Sequence, residues 1–399
     1  MRIGMMADVY KPYISGITNH IALTKRFLEA AGHEVFIFTF GDENYSDDES
    51  NVIRSPGLPL VDTGYYLNIR YNLLAQRLLR TMQVVHVHHP FLSGRLALRY
   101  CQPRNIPIVF TNHTRYDLYA HAYLPVLPEG LGETFLRTYL PSFCASCDLV
   151  IAPSHGMQNV LRRLGVTTNV EVVPNGVDIS PMRGSVKLLN RADLGFSEDD
   201  IVLIFTGRLG PEKNLPFLLR AFAGAAKAYD NLGLMILGSG PERENLEDRV
   251  QYMGIADRVR FAGMIPYKEL PRYLAAADAF VTASVTEVHP LSVIEAMATG
   301  LPILGIQSPG VGDIVEDGVS GLLCEEDVAV FTAKMVRLTT DYEMRTAMGA
   351  QARLLAENYA IERTTKILLS QYQRLIDHAA DSKPGLRTRL AQLIDGWNK

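Results

Sequence analysis

The chain has 399 residues, 47% of them hydrophobic and 21% charged, with a formal net charge of -4 at pH 7. The length suits two or three domains, the composition is that of ordinary globular proteins, and the weak negative charge argues against nucleic-acid binding. No apolar run approaches the roughly 18 residues of a membrane-spanning helix, no signal peptide precedes the first apolar segment, and cysteines are few, so we expect a cytoplasmic protein.

Apolar segments of strand length alternate with helical patterns in two similar halves of the chain. They span residues 3–7, 34–40, 84–88, 108–111, 149–153 and 170–173 in the first half, and 201–206, 234–237, 259–261, 279–283, 303–306 and 321–323 in the second. Apolar strands that alternate with helices predict parallel sheets covered on both faces. We therefore predict an α/β fold with two Rossmann-like domains that face each other across a cleft and bind ligands at the carboxyl ends of their strands.

A turn-forming cluster, V-P-N-G-V-D at residues 173–178, follows the last strand of the first half and predicts the domain boundary. We predict a first domain over residues 1–174 and a second domain over residues 175–358. A helical pattern continues over residues 359–380, and a loosely structured tail that contains the breaker K-P-G ends the chain over residues 381–399.

A glycine turn with two basic residues follows the first strand of the second half. Residues 206–214 read T-G-R-L-G-P-E-K-N, so that Arg208 and Lys213 lie five residues apart just after Gly207. At the carboxyl end of a parallel strand this arrangement is typical of a phosphate clamp. The alternative is a surface loop with ordinary charges.

Two glutamates, Glu287 and Glu295, lie on either side of the start of a predicted helix. Pro290 fits the first helical position, because the N–H group that proline lacks is unpaired there in any case. Free backbone N–H groups at Ser292 and its neighbour then form an anion site. Glu295 lies about 7–8 Å along that helix, a spacing that suits a sugar nucleotide, with one carboxylate on the sugar and the other on the ribose. A solvated glutamate and a helix-surface glutamate are the alternative.

Histidines occur where two predicted strands of the first half end. His86 and His88 share one face of a strand, and His89 begins the next loop. A tetrahedral metal site would also need a distant carboxylate, so we expect no metal here and assign His88 or His89 to the lining of the acceptor site. His113 follows the next strand, at the edge where parallel sheets bind ligands; a histidine that stabilises the loop is the alternative.

The segments at residues 207–214 and 287–295 together resemble the retaining glycosyltransferases of family 4, which have the GT-B fold, and the resemblance covers most of the chain. It implies an enzyme that moves a hexose from a nucleoside diphosphate sugar without a metal or other cofactor. UDP-glucose is the donor we expect, although backbone-lined base pockets leave uridine, guanosine and adenosine open. In this family the C-terminal helix crosses back to the first domain. A same-fold epimerase and a non-catalytic nucleotide-sugar-binding protein are the remote alternatives.

The resemblance also implies roles for single residues. Arg208 and Lys213 stabilise the leaving diphosphate, Glu287 holds sugar hydroxyls, and His113 orients or stabilises the electron-poor sugar. The implied donor-binding residues are Gly16, Gly207, Gly238, Gly263, Met264, Ile265, His289, Leu291, Ser292 and Glu295.

This chain departs from the family pattern at three points. Ser15 precedes Gly16 where many members have two glycines, although Gly16 still allows close backbone approach at the start of a helix predicted from residue 17 to about residue 31. Pro290 removes one N–H donor from the sugar and phosphate site. Asp313 replaces the usual glutamate of a glycine-rich turn, which leaves its role open.

Residues 113–121 read H-T-R-Y-D-L-Y-A-H and resemble the glucosyltransferases that glycosylate diacylglycerol, which usually have glutamate in place of Asp117. This similarity implies a lipid acceptor, diacylglycerol or a glycolipid, and acceptor contacts from Tyr10, Tyr116 and Tyr119. Phosphatidylinositol and a soluble sugar remain open as acceptors.

Residues 65–80 predict a helix with Arg70, Arg77 and Arg80 on one side and leucines on another. Such a helix suits peripheral contact with the inner face of the membrane, as does the tail segment over residues 386–397 with its single tryptophan. The alternative is an amphipathic helix that faces its own sheet.

Overall fold

A computed structural model describes residues 1–60, 65–118, 131–184 and 189–381. The chain divides into two compact units. The first unit comprises Met1–Gly176 together with the chain from Ile361 onward, and the second unit is Val177–Ala360.

The first unit is built on a sheet of seven parallel strands in the order β3-β2-β1-β6-β7-β8-β9. These strands are β1 Arg2–Met6, β2 Glu34–Phe40, β3 Val52–Ser55, β6 Val84–Val87, β7 Ile108–Thr111, β8 Leu149–Ala152 and β9 Val170–Val172, and a small antiparallel hairpin joins β4 Leu58–Pro59 to β5 Tyr66–Leu67. The helices are α1 Gly16–Ala30, α2 Leu73–Leu79, α3 Leu92–Tyr100, α4 Leu131–Ala145 and α5 His155–Arg163. The reversal of strand order between β1 and β6 is the topology of a doubly wound sheet.

The second unit is built on six parallel strands in the order β12-β11-β10-β13-β14-β15. They are β10 Ile201–Thr206, β11 Leu232–Leu237, β12 Val259–Gly263, β13 Ala279–Thr282, β14 Ile303–Ile306 and β15 Gly321–Cys324. Its helices are α6 Ser180–Arg183, α7 Leu215–Ala226, α8 Arg243–Tyr252, α9 Leu270–Ala275, α10 Leu291–Thr299, α11 Val328–Thr340 and α12 Tyr342–Ala356.

Helices cover both faces of the second sheet, as the apolar strands require. Leu203 and Phe205 of β10 lie in one buried cluster, whereas Val202 and Ile204 lie in another. Since successive side chains of a strand point to opposite faces, the two clusters are the two cores on either side of the sheet.

The C-terminal helix, α13 over Ile361–Asp381, belongs to the first unit. Leu368 and Tyr372 of this helix are buried in the same core as Ile3 and Ile37 of the sheet. The two ends of the second unit adjoin each other, because the Val177 N–H donates to the carbonyl of Tyr359 at 2.9 Å.

Every predicted strand segment overlaps an observed strand, and the ends differ by at most two residues. The predicted helix over residues 65–80 is wrong. Its first part forms β5, and α2 begins only at Leu73, because the Asn72 side chain accepts from the Ala75 N–H at 2.9 Å and caps the helix there. The predicted tail segment, residues 386–397, lies outside the described residues. Within the described ranges, no helix combines the length and the apolar character that a membrane span needs.

Candidate donor and acceptor sites

The predicted phosphate clamp lies on a loop that two glycines of the next loop hold in position. Gly238 has a φ of +133°, and a Cβ atom there would lie 1.9 Å from the carbonyl oxygen of Gly207. A Cβ on Gly240 would lie 2.4 Å from the carbonyl oxygen of Leu209. The two loops follow the adjacent strands β10 and β11 and are joined by a hydrogen bond from the Leu209 N–H to the Ser239 carbonyl at 2.9 Å. Only glycine at these positions lets the backbones approach so closely.

Lys213 and Glu287, predicted from two separate motifs, form an ion pair in the second unit. The Lys213 Nζ donates to Glu287 Oε1 at 2.5 Å, and each side chain is about one-fifth exposed. The loops that carry them are joined a second time, because Ser284 Oγ and Thr286 Oγ1 donate to the Glu212 carbonyl at 2.9 and 3.2 Å. The ends of β10 and β13 therefore bring an ammonium and a carboxylate to one point.

Arg208 completes the basic part of this site. It lies next to Gly207 at the end of β10, its side chain is exposed, and it has no ion-pair partner among the described residues. A guanidinium in this state keeps its full set of donors available to a diphosphate.

Helix α10 begins where the anion site is expected. Pro290 is the N-cap residue, with φ -72° and ψ 113°, and Leu291 is the first helical residue. The prediction that Pro290 occupies the first helical position is therefore wrong by one residue, because its ψ is extended. The N–H groups of Leu291 and Ser292 belong to the first turn, where no helical carbonyl can accept from them. A Cβ on Gly310 would lie 2.5 Å from the Glu287 carbonyl oxygen, so the next loop supports this segment.

Glu295 lies on the fifth residue of α10 and is 8% exposed. Burial raises the pKa of this carboxyl to about 7, and a hydrogen bond with Tyr267 opposes the shift. Glu295 therefore gains or loses its proton close to neutral pH, and a hydroxyl or cation that binds beside it changes the ionised fraction of the carboxyl.

The residues expected around the base lie near the glycine turn. The Gly238 N–H donates to the carbonyl of Gly263 at 2.7 Å, and Gly263 has a left-handed φ of +74°. Met264 is 65% exposed, whereas Ile265 packs against the core. His289 is buried, with its ring against Tyr359 at 5.2 Å between centroids.

Gly16 is the first residue of α1, one residue earlier than predicted. Ser15 caps the helix, since its hydroxyl accepts from the Thr18 N–H at 3.2 Å and its own N–H donates to Thr18 Oγ1 at 2.8 Å. A Cβ on Gly16 would meet nothing within 4 Å, so the fold of the first unit leaves open space on that side of the helix start.

His113 lies in a group of histidines at the carboxyl ends of β6 and β7. His113 Nε2 and His88 Nδ1 are 3.0 Å apart, and the ring of His20, on α1, lies 5.0 Å from that of His113. The ring of His86 lies 4.3 Å from that of His88, tilted by 31°, and its nitrogens are hydrogen-bonded to Tyr372 Oη at 2.6 Å and Thr111 Oγ1 at 2.7 Å.

Burial keeps this group of histidines neutral. It lowers the pKa of His20 to about 4 and that of His86 to about 3, and it lowers the pKa values of His88 and His113 well below the ordinary range. His113 therefore acts as a neutral hydrogen-bonding group at physiological pH. Sequence reasoning missed His20, although Gly16, His20 and Thr24 recur at four-residue spacing on α1, the spacing of one helix face.

The acceptor candidates lie deeper than the sequence suggested. Tyr10 is 2% exposed, and its hydroxyl donates to Glu49 at 2.9 Å, while burial raises its pKa. Tyr116 is 1% exposed and packs edge-on against Phe91. Asp117 is paired with Arg115 by two hydrogen bonds of 2.8 and 2.9 Å. Tyr119 lies outside the described residues.

Two family models match the chain, one described as "Glycosyltransferase Family 4" over residues 14–181 and the other as "Glycosyl transferases group 1" over residues 186–355. Among curated relatives, the α-monoglucosyldiacylglycerol synthase of Streptococcus pneumoniae is 29% identical over 90% of this chain and 83% of that protein. The α-monoglucosyldiacylglycerol synthase of Acholeplasma laidlawii is 27% identical over 94% of this chain and 98% of that protein.

Among solved structures, Anabaena HepE in complex with UDP and glucose matches with a TM-score of 0.71 at 18% identity, over 94% of this chain and 100% of that one. The fold is therefore GT-B, with two Rossmann-like domains, and this confirms the predicted fold class.

Proposed function

The chain belongs to the glycosyltransferases of family 4 and group 1, and from this premise we propose that it moves a hexose from a nucleoside diphosphate sugar to a lipid acceptor. The proposed donor is UDP-glucose, and the proposed acceptor is diacylglycerol or a glycolipid. The observation that carries the proposal is the Lys213–Glu287 pair, because it joins the cation expected at the diphosphate to the carboxylate expected at the sugar. Likeness to two synthases named for glucosyldiacylglycerol supports the acceptor class.

The donor is held by the second unit in this proposal. Arg208 and Lys213 bind the diphosphate, and the N-terminus of α10 adds the positive end of a helix dipole. When the bond from the anomeric carbon to the phosphate oxygen breaks, negative charge develops on the diphosphate, and these fixed positive groups stabilise it. They supply the charge that a divalent cation supplies elsewhere, so the proposed reaction is metal-independent.

The proposed stereochemical course is retention. The acceptor hydroxyl attacks the anomeric carbon from the face that the diphosphate leaves, and a phosphate oxygen of the leaving group takes its proton. Glu287 holds sugar hydroxyls, and it is committed to Lys213 at 2.5 Å rather than paired with a second carboxylate, as a covalent double-displacement site would require. Neutral His113 makes a hydrogen bond with the sugar, as donor or acceptor, while the sugar ring becomes electron-poor.

A surface of the first unit fits peripheral contact with a membrane. Large apolar side chains are exposed at Leu58 (74%), Leu67 (48%), Ile69 (82%), Leu73 (71%) and Leu74 (57%), and we call these five residues the apolar surface. Leu58 and Leu67 are cross-strand partners of the hairpin β4–β5, and Leu73 and Leu74 form the start of α2.

Arginines lie next to the apolar surface in the chain. The exposed side chains of Arg70, Arg77 and Arg80 flank it along residues 70–80. Apolar side chains that enter the interface, with cations at the level of anionic headgroups, are typical of proteins that bind the inner leaflet. We propose that this surface brings the enzyme to its acceptor at the cytoplasmic face of the membrane.

The test is a transfer assay with the purified full chain and isotope-labelled UDP-glucose. The acceptors are liposomes that contain diacylglycerol, glucosyldiacylglycerol or phosphatidylinositol, and, in separate reactions, free glucose and inositol. We expect a labelled glucosyldiacylglycerol or a diglucosyl lipid by mass spectrometry, an axial anomeric linkage by NMR, and unchanged turnover in excess EDTA. If the label appeared instead on phosphatidylinositol or in a soluble disaccharide, the acceptor would be phosphatidylinositol or the free sugar, and the proposed acceptor would be wrong. If the enzyme converted the donor to another UDP-hexose in the absence of an acceptor, it would be an epimerase and the proposed transfer would be wrong.

A further inference from the structure

His20, His88 and His113 come from three separate elements and meet at one point of the first unit. His20 lies on α1, His88 follows β6, and His113 follows β7. One ring nitrogen of each residue lies within 4.8 Å of those of the other two, and His88 Nδ1 lies 3.0 Å from His113 Nε2. The three imidazoles form a half-buried cluster, since His20 and His88 are buried and His113 is partly exposed.

The polar atoms of this cluster are incompletely paired within the described protein. His20 Nδ1 and His88 Nε2 are buried and have no hydrogen-bond partner there. The neighbouring His86 differs, because both of its ring nitrogens are bonded, one to Tyr372 and the other to Thr111. Buried polar groups normally have partners. His88 faces His113 through its Nδ1, so its Nε2 cannot bind the same ion, and the unpaired Nδ1 of His20 is the nitrogen that points to a bound group.

The donor set identifies the class of that group. Three imidazole nitrogens without a carboxylate or thiolate suit borderline divalent transition metals such as Zn²⁺ and Co²⁺, and not Mg²⁺ or Ca²⁺. Tetrahedral Zn–N bonds of 2.0–2.1 Å place ligand nitrogens about 3.3 Å apart. The His88 Nδ1–His113 Nε2 separation of 3.0 Å is close to that value, and the three ligand atoms lie within 4.8 Å of one another. His113 is partly exposed, so water can reach the cluster to supply a fourth ligand.

We propose that His20, His88 and His113 bind one Zn²⁺-class ion, and that this ion inhibits the enzyme. Binding goes beyond the proposed function and does not depend on it. The inhibitory effect rests on the proposed function, since the ion occupies the His113 nitrogen that the sugar needs. The site is therefore a regulatory or inhibitory one and differs from a catalytic metal, which would raise turnover.

The test is a Co²⁺ titration of the purified, tag-free full chain after dialysis against EDTA and then against chelator-free buffer. We expect one equivalent of Co²⁺ to bind, with the visible absorption bands of a tetrahedral complex, and Zn²⁺ to displace it. His20→Gln and His113→Gln each remove a ligand, so the dissociation constant rises by more than the roughly 10–100-fold that loss of an outer-shell partner causes.

Two matched controls separate ligand loss from general damage. His86→Gln removes a buried imidazole that lies against His88 but has both nitrogens hydrogen-bonded, and His155→Gln removes an exposed histidine on α5. Both should keep one Co²⁺ per chain, with thermal unfolding recorded for every variant. No saturable binding, or binding that survives in His20→Gln and His113→Gln, overturns the site.

In the transfer assay, one equivalent of Zn²⁺ should abolish most turnover and EDTA should restore it. A Zn²⁺-loaded enzyme of full activity overturns the inhibition and leaves the binding result standing.

Discussion

Lys213 and Glu287 lie 74 positions apart in the sequence and form an ion pair with an Nζ–Oε1 distance of 2.5 Å at the ends of β10 and β13. Both side chains are mostly buried, so water and salt weaken their attraction less than they weaken an ordinary surface ion pair. In the proposed reaction, the diphosphate would meet an ammonium whose position is already fixed by a carboxylate.

Replacing the basic residues of the clamp should reduce turnover more than binding. We expect Lys213→Ala and Arg208→Ala each to lower kcat by about a hundredfold or more, because each removes a fixed charge worth roughly 3–4 kcal/mol in the transition state. Turnover at saturating donor and calorimetry with UDP measure the two effects. Lys227→Ala, an exposed lysine at the end of α7, is the control. Near-normal kcat in either clamp variant would reject the assignment.

The two glutamates should separate into a sugar contact and a nucleoside contact. We expect Glu287→Gln to impair transfer while UDP affinity stays close to that of the wild type, and Glu295→Gln mainly to raise the dissociation constant of UDP. The reason is that UDP lacks the sugar but keeps the ribose. Calorimetry with UDP and with UDP-glucose tells the two apart, and an equal loss of UDP affinity in both variants would contradict this division.

UDP affinity should depend on the ionisation of Glu295. The pKa of this carboxyl is about 7 in the free protein because of burial. Ribose hydroxyls donate to a carboxylate, so binding favours the deprotonated form and lowers that pKa. Affinity should therefore rise from pH 6 to about pH 7.5 and then level off. Glu295→Gln, which cannot titrate, should lose this rise and keep only the pH dependence of UDP itself. An identical pH profile in both proteins would exclude Glu295 from the ribose contact.

Gly238→Ala should displace the loop that carries Arg208 and Lys213, although Gly238 itself lies on the neighbouring loop. The new Cβ would lie 1.9 Å from the Gly207 carbonyl oxygen in addition to the strain of a φ of +133°. We expect the free energy of unfolding to fall by more than the roughly 1–3 kcal/mol of backbone strain alone, with a loss of UDP affinity. Gly254→Ala is a matched control, because its φ is +67° and nothing lies within 4 Å of the added atom. Chemical denaturation and calorimetry compare the two, and equal effects would argue against a role for the close approach.

The apolar surface should determine membrane binding. We expect the wild-type chain to float with liposomes of rising anionic content, and less so at high salt, because each arginine contributes about 1 kcal/mol near a charged leaflet. Ile69→Ser combined with Leu74→Ser should reduce flotation about tenfold or more, since burial of each large apolar side chain contributes roughly 1.5–3 kcal/mol. Leu354→Ser, an exposed leucine of the second unit, is the control. A wild-type chain that never floats would reject the membrane proposal.

The sequence predicted the parallel strands well because their apolar runs are short, continuous and bounded by turn residues. It also placed Lys213 and Glu287 just after strands of one sheet, where strand ends converge, and their roles in the reaction stay predictions. It missed β3, because V-I-R-S carries two polar residues in four. The helix prediction over residues 65–80 failed because it relied on the helical spacing of the leucines and overlooked Asn72, which caps the helix that begins at Leu73.

The histidine cluster could not be read from the sequence for a different reason. His86 and His88 lie two positions apart at the end of β6, and that spacing drew attention to the pair. The partners of His88 in space come from α1 and from the loop after β7, and only tertiary packing brings His20 to them. A lone histidine on the buried face of a helix carries no signal of this kind.

The placement of α13 determines the order in which the protein can fold during synthesis. Residues Leu368 and Tyr372 complete the core of the first unit, yet the ribosome makes them after the whole second unit, at about 5–20 residues per second. The second unit is one continuous stretch whose ends are already joined, so it can finish first. The N-terminal half of the chain therefore emerges first and completes its fold last, and a chain truncated before Ile361 leaves the His86 ring without its Tyr372 partner.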